Sequence, residues 1–440
     1  MNVWFNKKRF KIEIFLTQIN KKIQSNISIM YNKEKCYIID RSHNKIQVQI
    51  NQIHATKNTF WNIKVGDSIR IINQKNVFEG VIISSCAVGT DTITKSDDVK
   101  LPFCFPRIKT YPFFTALVAT LDSYNVADNW IYNNYILIWM LGWTHFLDYW
   151  ADFKYGDEEN QEAFCKLINK EIVSREKIKK KYRTIIQFIK ESIKEKKYVF
   201  TGVDIFFIQE WWNNEKEHYH YRHQAYVYGY NEEKQYIIMS DFIGGDYKSI
   251  NVPFEQFIEA YNNYDKVPVI YVEYGQEIWL ISYNKNKTEE IDLDRIVNLL
   301  EDFLNSRDTK VKSYLWHAKT VSDIKFGLEY YDEILKAICE QRNGIIDYRA
   351  IHILVELNII MRDRMQYLEK NMNIDFTNLC KTNLDSLILE VKKAQKLVLK
   401  YNITLSDKDF KKLMKCLVAL KEEQKNTFSM CLECIKKLNK

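Results

Sequence analysis

The chain has 440 residues, of which 46% are hydrophobic and 14% aromatic, so it can fill the cores of about two to four domains. Its 64 basic and 57 acidic residues give a net charge of +7, and the lysines are scattered and not clustered. That distribution argues against a nucleic-acid partner. A membrane-spanning helix needs about 20 apolar residues, and the longest apolar run, at 135–143, is shorter. No membrane partner is therefore expected.

Residues 1–95 alternate short apolar runs with turn signals, which is typical of short β-strands. The spacing predicts a small β-barrel or sandwich domain. Small barrels often bind oligonucleotides, and Trp61, Lys64 and Arg70 suit such a surface, but no dense basic stripe accompanies them. We therefore expect a docking or structural module with strands at 10–16, 27–31, 36–40, 45–50, 68–72 and 77–84.

A polar segment at 89–100 has the composition of a linker, and the region after it holds all five prolines of the chain. Pro102 and Pro106 predict an extended segment. Pro112 suits the first turn of a helix that continues to residue 124.

Helices are expected before an antiparallel sheet in this central region, an order typical of an α+β domain. The sequence predicts an aromatic helix at 130–150 and a charged helix at 161–197. Strands at 198–208, 249–252, 267–272 and 278–283 and a helix at 253–261 complete the prediction for a domain at 101–285.

The stretch 218–242 predicts a β-hairpin, because alternating residues flank a polar turn at 231–234. His223 opens its first strand and Asp241 closes its second, so antiparallel pairing brings the two side chains to the same end of the ladder. An imidazole held by a carboxylate at one nitrogen stays basic at the other, as acyl-transfer sites require. A purely structural hydrogen bond is the alternative.

Three histidines close together in the sequence also suggest a metal site, because alternate residues of a strand share a face. Around His218, His220 and His223 there is no cysteine, and the carboxylates at close spacing are Glu215 and Glu217. No metal and no other cofactor is therefore expected.

Nine cysteines lie at irregular spacings, and the N-terminal sequence lacks the apolar core of a signal peptide. We expect reduced thiols and a cytoplasmic protein. Cys431 and Cys434 form a lone C-x-x-C on a predicted helix, where zinc or redox chemistry is not expected.

The central region resembles papain-like folds of the bacteriocin-processing peptidase kind. It resembles more closely the family of the butirosin-biosynthesis protein H N-terminal domain, whose members occur in bacterial antibiotic and nonribosomal-peptide gene clusters. The resemblance covers about 105–285, somewhat under half of the chain. It is carried by YPFFTALVATL (111–121), WIYNNYI (130–136), VDIFFI (203–208) and HQAYVYGYNEEKQYIIMSDF with its tail GGDYKSINVPFEQFIEAY (223–261).

The resemblance implies a base at His223 and an orienting carboxylate at Asp241. The position of the family's cysteine nucleophile falls at Pro112 or Phe113, which cannot attack a carbonyl. The glutamine expected just upstream is also missing, since Lys109 and Thr110 occupy that place.

Cys104 is the nearest thiol and is the candidate for a relocated nucleophile, while Thr115 offers a hydroxyl one turn into the helix. Cys104 is on an extended segment, where no helix N-terminus would favour its thiolate. The expected pocket residues are Tyr111, Trp130, Asn134 and Asp204. Tyr111, Trp130, Trp211 and Trp212 would give the pocket aromatic walls, which suit an apolar or planar ligand.

The region 288–440 has no proline and shows sustained helical periodicity, which predicts an antiparallel bundle of about five helices. Ser406 and Asp409 have the spacing of a capping box at a helix start. The chain contains no Walker loop, no Rossmann glycine pattern and no HExxH, so nucleotide-dependent and dinucleotide enzymes are disfavoured.

Two hypotheses follow. The first is an enzyme of bacterial specialised metabolism that transfers an acyl or peptidyl group from a carrier-protein thioester, without a cysteine nucleophile, using His223 and Asp241. The second is a catalytically inactive binding or scaffold protein of the same fold that docks a carrier protein, a peptide or a small molecule. The missing cysteine favours the second, and the retained histidine and aspartate favour the first.

Overall fold

The computed structural model divides the chain into two compact units, Met1–Ser96 and Asp97–Lys440. In the first unit it describes six strands. In the second unit it describes residues 98–141, 144–148, 165–212, 218–244, 246–268, 277–310, 322–372 and 378–437.

The strands of the first unit are β1 (Arg9–Leu16), β2 (Ser28–Tyr31), β3 (Glu34–Ser42), β4 (Lys45–Asn51), β5 (Ser68–Asn73) and β6 (Asn76–Val88). They pair antiparallel, and β1 pairs with both β4 and β6. The order β1-β4-β3-β2-β5-β6 therefore closes into a barrel. Arg70 lies in β5, whereas Trp61 and Lys64 lie outside the described residues.

The described part of the second unit mixes helices with antiparallel strands, as an α+β arrangement requires. Its elements are β7 (Asp98–Lys100), α1 (Pro112–Ser123), α2 (Ala127–Asn133), β8 (Leu137–Leu141), β9 (Thr144–Asp148), β10 (Ile168–Ser174), α3 (Arg175–Lys181), α4 (Ile185–Lys194), β11 (Tyr198–Asp204), β12 (Arg222–Asn231), β13 (Tyr236–Ile243), β14 (Asp246–Pro253), α5 (Phe254–Asn263), β15 (Glu277–Tyr283), α6 (Leu293–Leu304), β16 (Lys325–Phe326), α7 (Tyr330–Glu340), α8 (Arg349–Met372), α9 (Asn378–Thr404) and α10 (Asp407–Lys436).

The main sheet has the strand order β10-β15-β11-β12-β13-β14, and β7 pairs with the far end of β12. The predicted hairpin is confirmed as β12 and β13, which pair antiparallel with an irregularity between Val227 and Gly229. Gly229 is needed there, because a Cβ at this position would lie 2.7 Å from the Cβ of Lys100 in β7. A larger residue would push β7 off the sheet.

The predicted aromatic helix at 130–150 is wrong. Helix α2 ends at Asn133, and β8 and β9 follow it as a small sheet completed by β16. The chain leaves the helix at Tyr135, whose φ of 45° belongs to the left-handed region. The bulky residues of 137–141 then suit a buried strand.

The predicted charged helix at 161–197 is also wrong, since β10 occupies 168–174 and two separate helices follow. The hydroxyl of Ser174 accepts a hydrogen bond from the N–H of Lys177 and so starts α3 after the strand. Of the predicted strand at 267–272, the residues 269–272 lie outside the described part of the chain.

The predicted helical region is confirmed, because the five helices α6 to α10 lie within 293–436. The capping box does not form. Ser406 precedes α10, but its side chain caps no N–H, and the carboxylate of Asp409 bonds to Lys400 instead. None of the helices in the described residues combines the length and apolar character needed to cross a bilayer.

The helical region shares the second unit with the main sheet, and a buried arginine on α8 is one of the links. Arg364 is fully buried, and its Nε donates to the backbone oxygen of Tyr132 at 2.6 Å. Its guanidinium also donates to the backbone oxygen of Asn134. Burial lowers the pKa of Arg364 to about 9. The cation therefore sits at the negative end of α2, where the helix dipole stabilises it.

Replacement of this arginine tests the link. Arg364→Met keeps the side-chain length but removes the donors to two buried carbonyl oxygens, so we expect the free energy of unfolding to fall by about 3 kcal/mol. Urea unfolding followed by circular dichroism at 222 nm measures the change. The control is Arg342→Met, whose guanidinium is half exposed beside Asp407, with an expected loss below about 1 kcal/mol. Equal losses in the two variants would contradict the interpretation.

Candidate functional site

The structure brings together the two residues of the predicted pair. His223 lies at the start of β12, and its Nδ1 is 3.0 Å from Oδ2 of Asp241 on β13. Asp241 is 1% exposed, and its Oδ1 accepts a hydrogen bond from the N–H of Phe242 at 2.7 Å. Both carboxylate oxygens are therefore engaged, one by a ring nitrogen and one by the backbone. Their catalytic role stays a prediction.

The electrostatics of Asp241 depend on the pair. Burial raises the pKa of Asp241 above its usual range, and the positive character of His223 and the Phe242 N–H oppose that rise. Because an ionised carboxylate only accepts hydrogen bonds, the proton between the two residues belongs to Nδ1 of His223. The lone pair of the neutral ring is then on Nε2.

Aromatic rings line the histidine. The ring centres of Trp211 and Tyr221 lie 4.7 and 6.3 Å from that of His223. The side chain of His223 is 19% exposed, and among the described residues its Nε2 has no hydrogen-bond partner. The imidazole is therefore partly accessible beside two aromatic rings.

Helix α1 starts without a nucleophile. Tyr111 is its N-cap residue, and Pro112, which has no N–H, begins the helix. The hydroxyl of Thr115 is buried and donates to the backbone oxygen of Tyr111 at 2.7 Å. Neither position offers a group that can attack a carbonyl at the surface.

A glutamate from α8 holds the segment that precedes α1. The N–H of Lys109 and the hydroxyl of Thr110 both donate to the carboxylate of Glu356. Nε2 of His352, one turn earlier on α8, lies 3.3 Å from the same carboxylate. The positions where the resemblance implies an oxyanion-side glutamine thus form an anchor for the helical region.

The first residue of α8 connects the start of α1 to the surroundings of His223. The guanidinium carbon of Arg349 lies 5.9 Å from the ring centre of Tyr111. Hydrogen bonds to Asp347 raise the pKa of Arg349, and the hydroxyls of Tyr111 and Tyr221 act in the same direction. Arg349 therefore lies near both Tyr111 and Tyr221, the second of which neighbours His223.

Cys104 lies beside the C-terminal end of α1. Its N–H donates to Oγ of Ser123, the last residue of α1, at 2.8 Å. Tyr111 caps the opposite end of this 12-residue helix, a distance of about 18 Å at 1.5 Å per residue. The exposed thiol of Cys104 therefore lies at the wrong end of α1 to replace the missing nucleophile.

Of the four expected pocket residues, Asp204 follows Val203, which pairs with His223 between β11 and β12, while Tyr111 contacts Arg349. Trp130 is buried with its ring 5.4 Å from that of Tyr135, and the side-chain amide of Asn134 donates to the backbone oxygen of Trp130. Both are core residues of the α2 region. Asp204 is fully buried and ties down the loop before β12.

Asp204 forms a second histidine–aspartate pair. Its Oδ2 lies 2.7 Å from Nδ1 of His220, and its Oδ1 accepts hydrogen bonds from the N–H groups of Phe206 and Tyr221. The ring of His220 stacks on Phe206 and its side chain is 55% exposed. Because Asp204 organises the loop through backbone donors, we assign this pair a structural role.

No metal centre is found where the structure describes the chain, since no three His, Cys, Asp or Glu side chains there are arranged as ligands. His218 instead stacks on Trp212, with ring centres 5.0 Å apart. A polar groove of about 660 Å³ lies elsewhere, around the Lys166–Glu289 ion pair and the start of α6. None of its lining residues belongs to the His223 site.

Sequence reasoning missed Tyr221, Arg349 and Glu356. Tyr221 had a local signal, because it is two residues before His223 and alternate residues share a face. Arg349 and Glu356 had no such signal. They lie more than a hundred residues further along the chain, in a helix whose sequence is typical of a helical bundle.

Comparisons with known proteins do not identify a family. No protein-family model matches the chain. A search of curated proteins finds no match either.

The tautomer of His223 can be measured. In the wild type we expect the neutral ring to carry its proton on Nδ1, because Asp241 accepts there. In Asp241→Asn the amide group can donate to Nδ1, so the proton should move to Nε2. ¹⁵N NMR distinguishes the two nitrogens, and the signals of His220, held by Asp204, should stay unchanged. A wild-type ring protonated on Nε2 would refute this assignment.

Proposed function

We propose that the second unit is papain-like and that the protein transfers an acyl or peptidyl group from a carrier-protein thioester directly to an amine. His223 is the general base, and no acyl-enzyme forms. The observation that carries this proposal is the hydrogen bond from Nδ1 of His223 to the buried Asp241, which leaves Nε2 basic and facing the surface.

The reaction balances without a nucleophile from the protein. The amine nitrogen attacks the thioester carbonyl while Nε2 of His223 takes its proton, and the carbon–sulfur bond breaks as the amide forms. The imidazolium then gives the proton to the departing thiolate. General-base catalysis of this kind contributes about a hundred to ten thousandfold. Holding the two substrates together supplies further acceleration.

The choice of direct transfer rests on what surrounds α1. Neither Pro112 nor the buried Thr115 can form an acyl-enzyme, and Cys104 lies beside the far end of the helix. Loss of a nucleophile from a triad typically costs on the order of a millionfold in turnover. A mechanism that still required a covalent intermediate would therefore be slowed by this whole factor.

The carrier-protein substrate and the setting in bacterial specialised metabolism rest on the resemblance of the central motifs to the butirosin family. A papain-like arrangement is supported by helix α1, which precedes all strands of the main sheet except β7, and by the pair on the neighbouring strands β12 and β13. None of the cysteines whose side chains are described forms a disulfide, which suits the cytoplasm, where we expect a carrier protein to act. We assign the barrel of the first unit a docking role.

One observation favours the alternative of an inactive binding or scaffold protein. Glu356 places a carboxylate against Lys109 and Thr110, in the neighbourhood where the related enzymes have an oxyanion donor. A carboxylate there would repel the negative charge that develops on a thioester oxygen. In this alternative the protein docks a carrier protein or peptide and transfers nothing.

A transfer assay separates the two functions. With an acylated carrier and a panel of amines, we expect the wild type to form amide and free carrier thiol, and His223→Ala to be slower by about a hundred to ten thousandfold. Intact-mass spectrometry of the carrier and chromatography of the amide measure both products. His220→Ala, which removes the ring of the structural pair, should retain the wild-type rate.

The outcomes are distinct. If His223→Ala is as fast as the wild type, the imidazole is not the base. If no acylated carrier is discharged but a carrier co-elutes with the wild type, the protein is a binding module.

A further inference from the structure

Three cysteines gather where α9 begins and α10 ends. Cys380 is in the first turn of α9, and its Sγ lies 3.5 Å from Sγ of Cys434 in the last turn of α10. Cys431, one turn earlier on α10, is close enough to Cys380 to lower the pKa of its thiol. The C-x-x-C of the sequence is therefore completed by a thiol from 54 residues earlier in the chain.

The three thiols differ in their protonation. Hydrogen bonds, first from Cys431 and then from Cys434, lower the pKa of Cys380 to about 6. The N-terminus of a helix acts in the same direction. Burial, with the Cys380 thiolate as neighbour, raises the pKa of Cys434 to about 11. At neutral pH the cluster therefore holds one thiolate and a protonated thiol in contact with it.

The three cysteines also differ in their exposure to solvent. Cys380 is 2% exposed and Cys431 is fully buried, whereas Cys434 is half-buried at the edge of the cluster. The cluster is therefore open to solvent at Cys434 and covered at Cys380 and Cys431.

We propose that Cys380 and Cys434 form an oxidation site, at which a peroxide converts the two thiols into a disulfide that joins α9 to α10. This inference is independent of the acyl-transfer function. It rests on the contact between two thiols on different helices and on their unequal protonation.

The chemistry balances with hydrogen peroxide as oxidant. The Cys380 thiolate attacks one peroxide oxygen, the O–O bond breaks, and a sulfenic acid and hydroxide form. The Cys434 thiol then attacks the Cys380 sulfur, and water leaves as the S–S bond forms. Two thiols are oxidised by two electrons, one peroxide is reduced, and two waters result in total.

The sulfurs must approach by about 1.5 Å to reach the 2.05 Å of a disulfide bond. The terminal turns of two helices can make that movement, because helix ends are the least constrained part of a helix. The disulfide would close a loop of 54 residues and so restrict the unfolded chain. Oxidation should therefore stabilise the second unit.

Peptide mapping tests the site. The full-length protein is treated with hydrogen peroxide, blocked with an alkylating reagent, digested and analysed by mass spectrometry. We expect a Cys380–Cys434 disulfide peptide that dithiothreitol removes, while the exposed Cys339 on α7 stays alkylated. We also expect the oxidised protein to unfold at a temperature about 5 °C higher than the reduced protein.

Two serine variants test which cysteines form the disulfide. Cys434→Ser should abolish the disulfide and the thermal shift, whereas Cys431→Ser should keep both. A disulfide of Cys380 with Cys431, or of Cys431 with Cys434, would overturn the assignment of the pair. Sulfonic acids without any disulfide, or no oxidation at Cys380 when Cys339 is oxidised, would overturn the site.

The pH dependence of alkylation adds a check that does not depend on oxidation. Because the pKa of Cys380 is lowered to about 6, its reaction with iodoacetamide should continue below pH 7 and fall with a midpoint near 6. Cys434, whose pKa is raised to about 11, should react slowly over the same range. Equal pH profiles at the two thiols would contradict the assigned roles.

Discussion

Burying the carboxylate of Asp241 inside a sheet is unfavourable, and the ring of His223 and the N–H of Phe242 offset that cost. The same hydrogen bond fixes which nitrogen of His223 carries the proton. One contact therefore stabilises the strands that form it and sets the reactivity of the exposed nitrogen. Because the carboxylate is fully enclosed, its orientation is rigid, which is what a base that must meet a substrate proton requires.

Two polar anchors from α8 join the helical region to the segments that precede the sheet. Arg364 neutralises the carbonyl end of α2, and Glu356 takes the donors of Lys109 and Thr110 ahead of α1. Both groups are buried, so each depends on its partners for its solvation. The helices therefore do more than enclose a core, since Glu356 determines what lies ahead of α1, where the proposed papain-like fold would have its nucleophile.

The hairpin could be predicted because its signals are local: alternation on both strands, a polar turn, and a histidine and an aspartate at matching ends. The five terminal helices could be predicted for the same reason, from apolar stripes of helical period. The aromatic stretch after Asn133 could not, because its composition suits a buried helix as well as a strand, and a left-handed Tyr135 decides between them. The two anchors, Glu356 and Arg364, and the position of Arg349 depend on contacts distant in sequence, which no local pattern encodes.

The most direct test of base-catalysed transfer without an acyl-enzyme is the intact mass of the protein itself during turnover. Samples quenched while an acylated carrier is being discharged to an amine should show the unmodified mass of the protein at every time, with product still accumulating. An acyl adduct that appears and decays at the rate of product formation would contradict the proposed mechanism. If Cys104→Ser removed that adduct, the nucleophile would be the thiol that the structure places at the far end of α1.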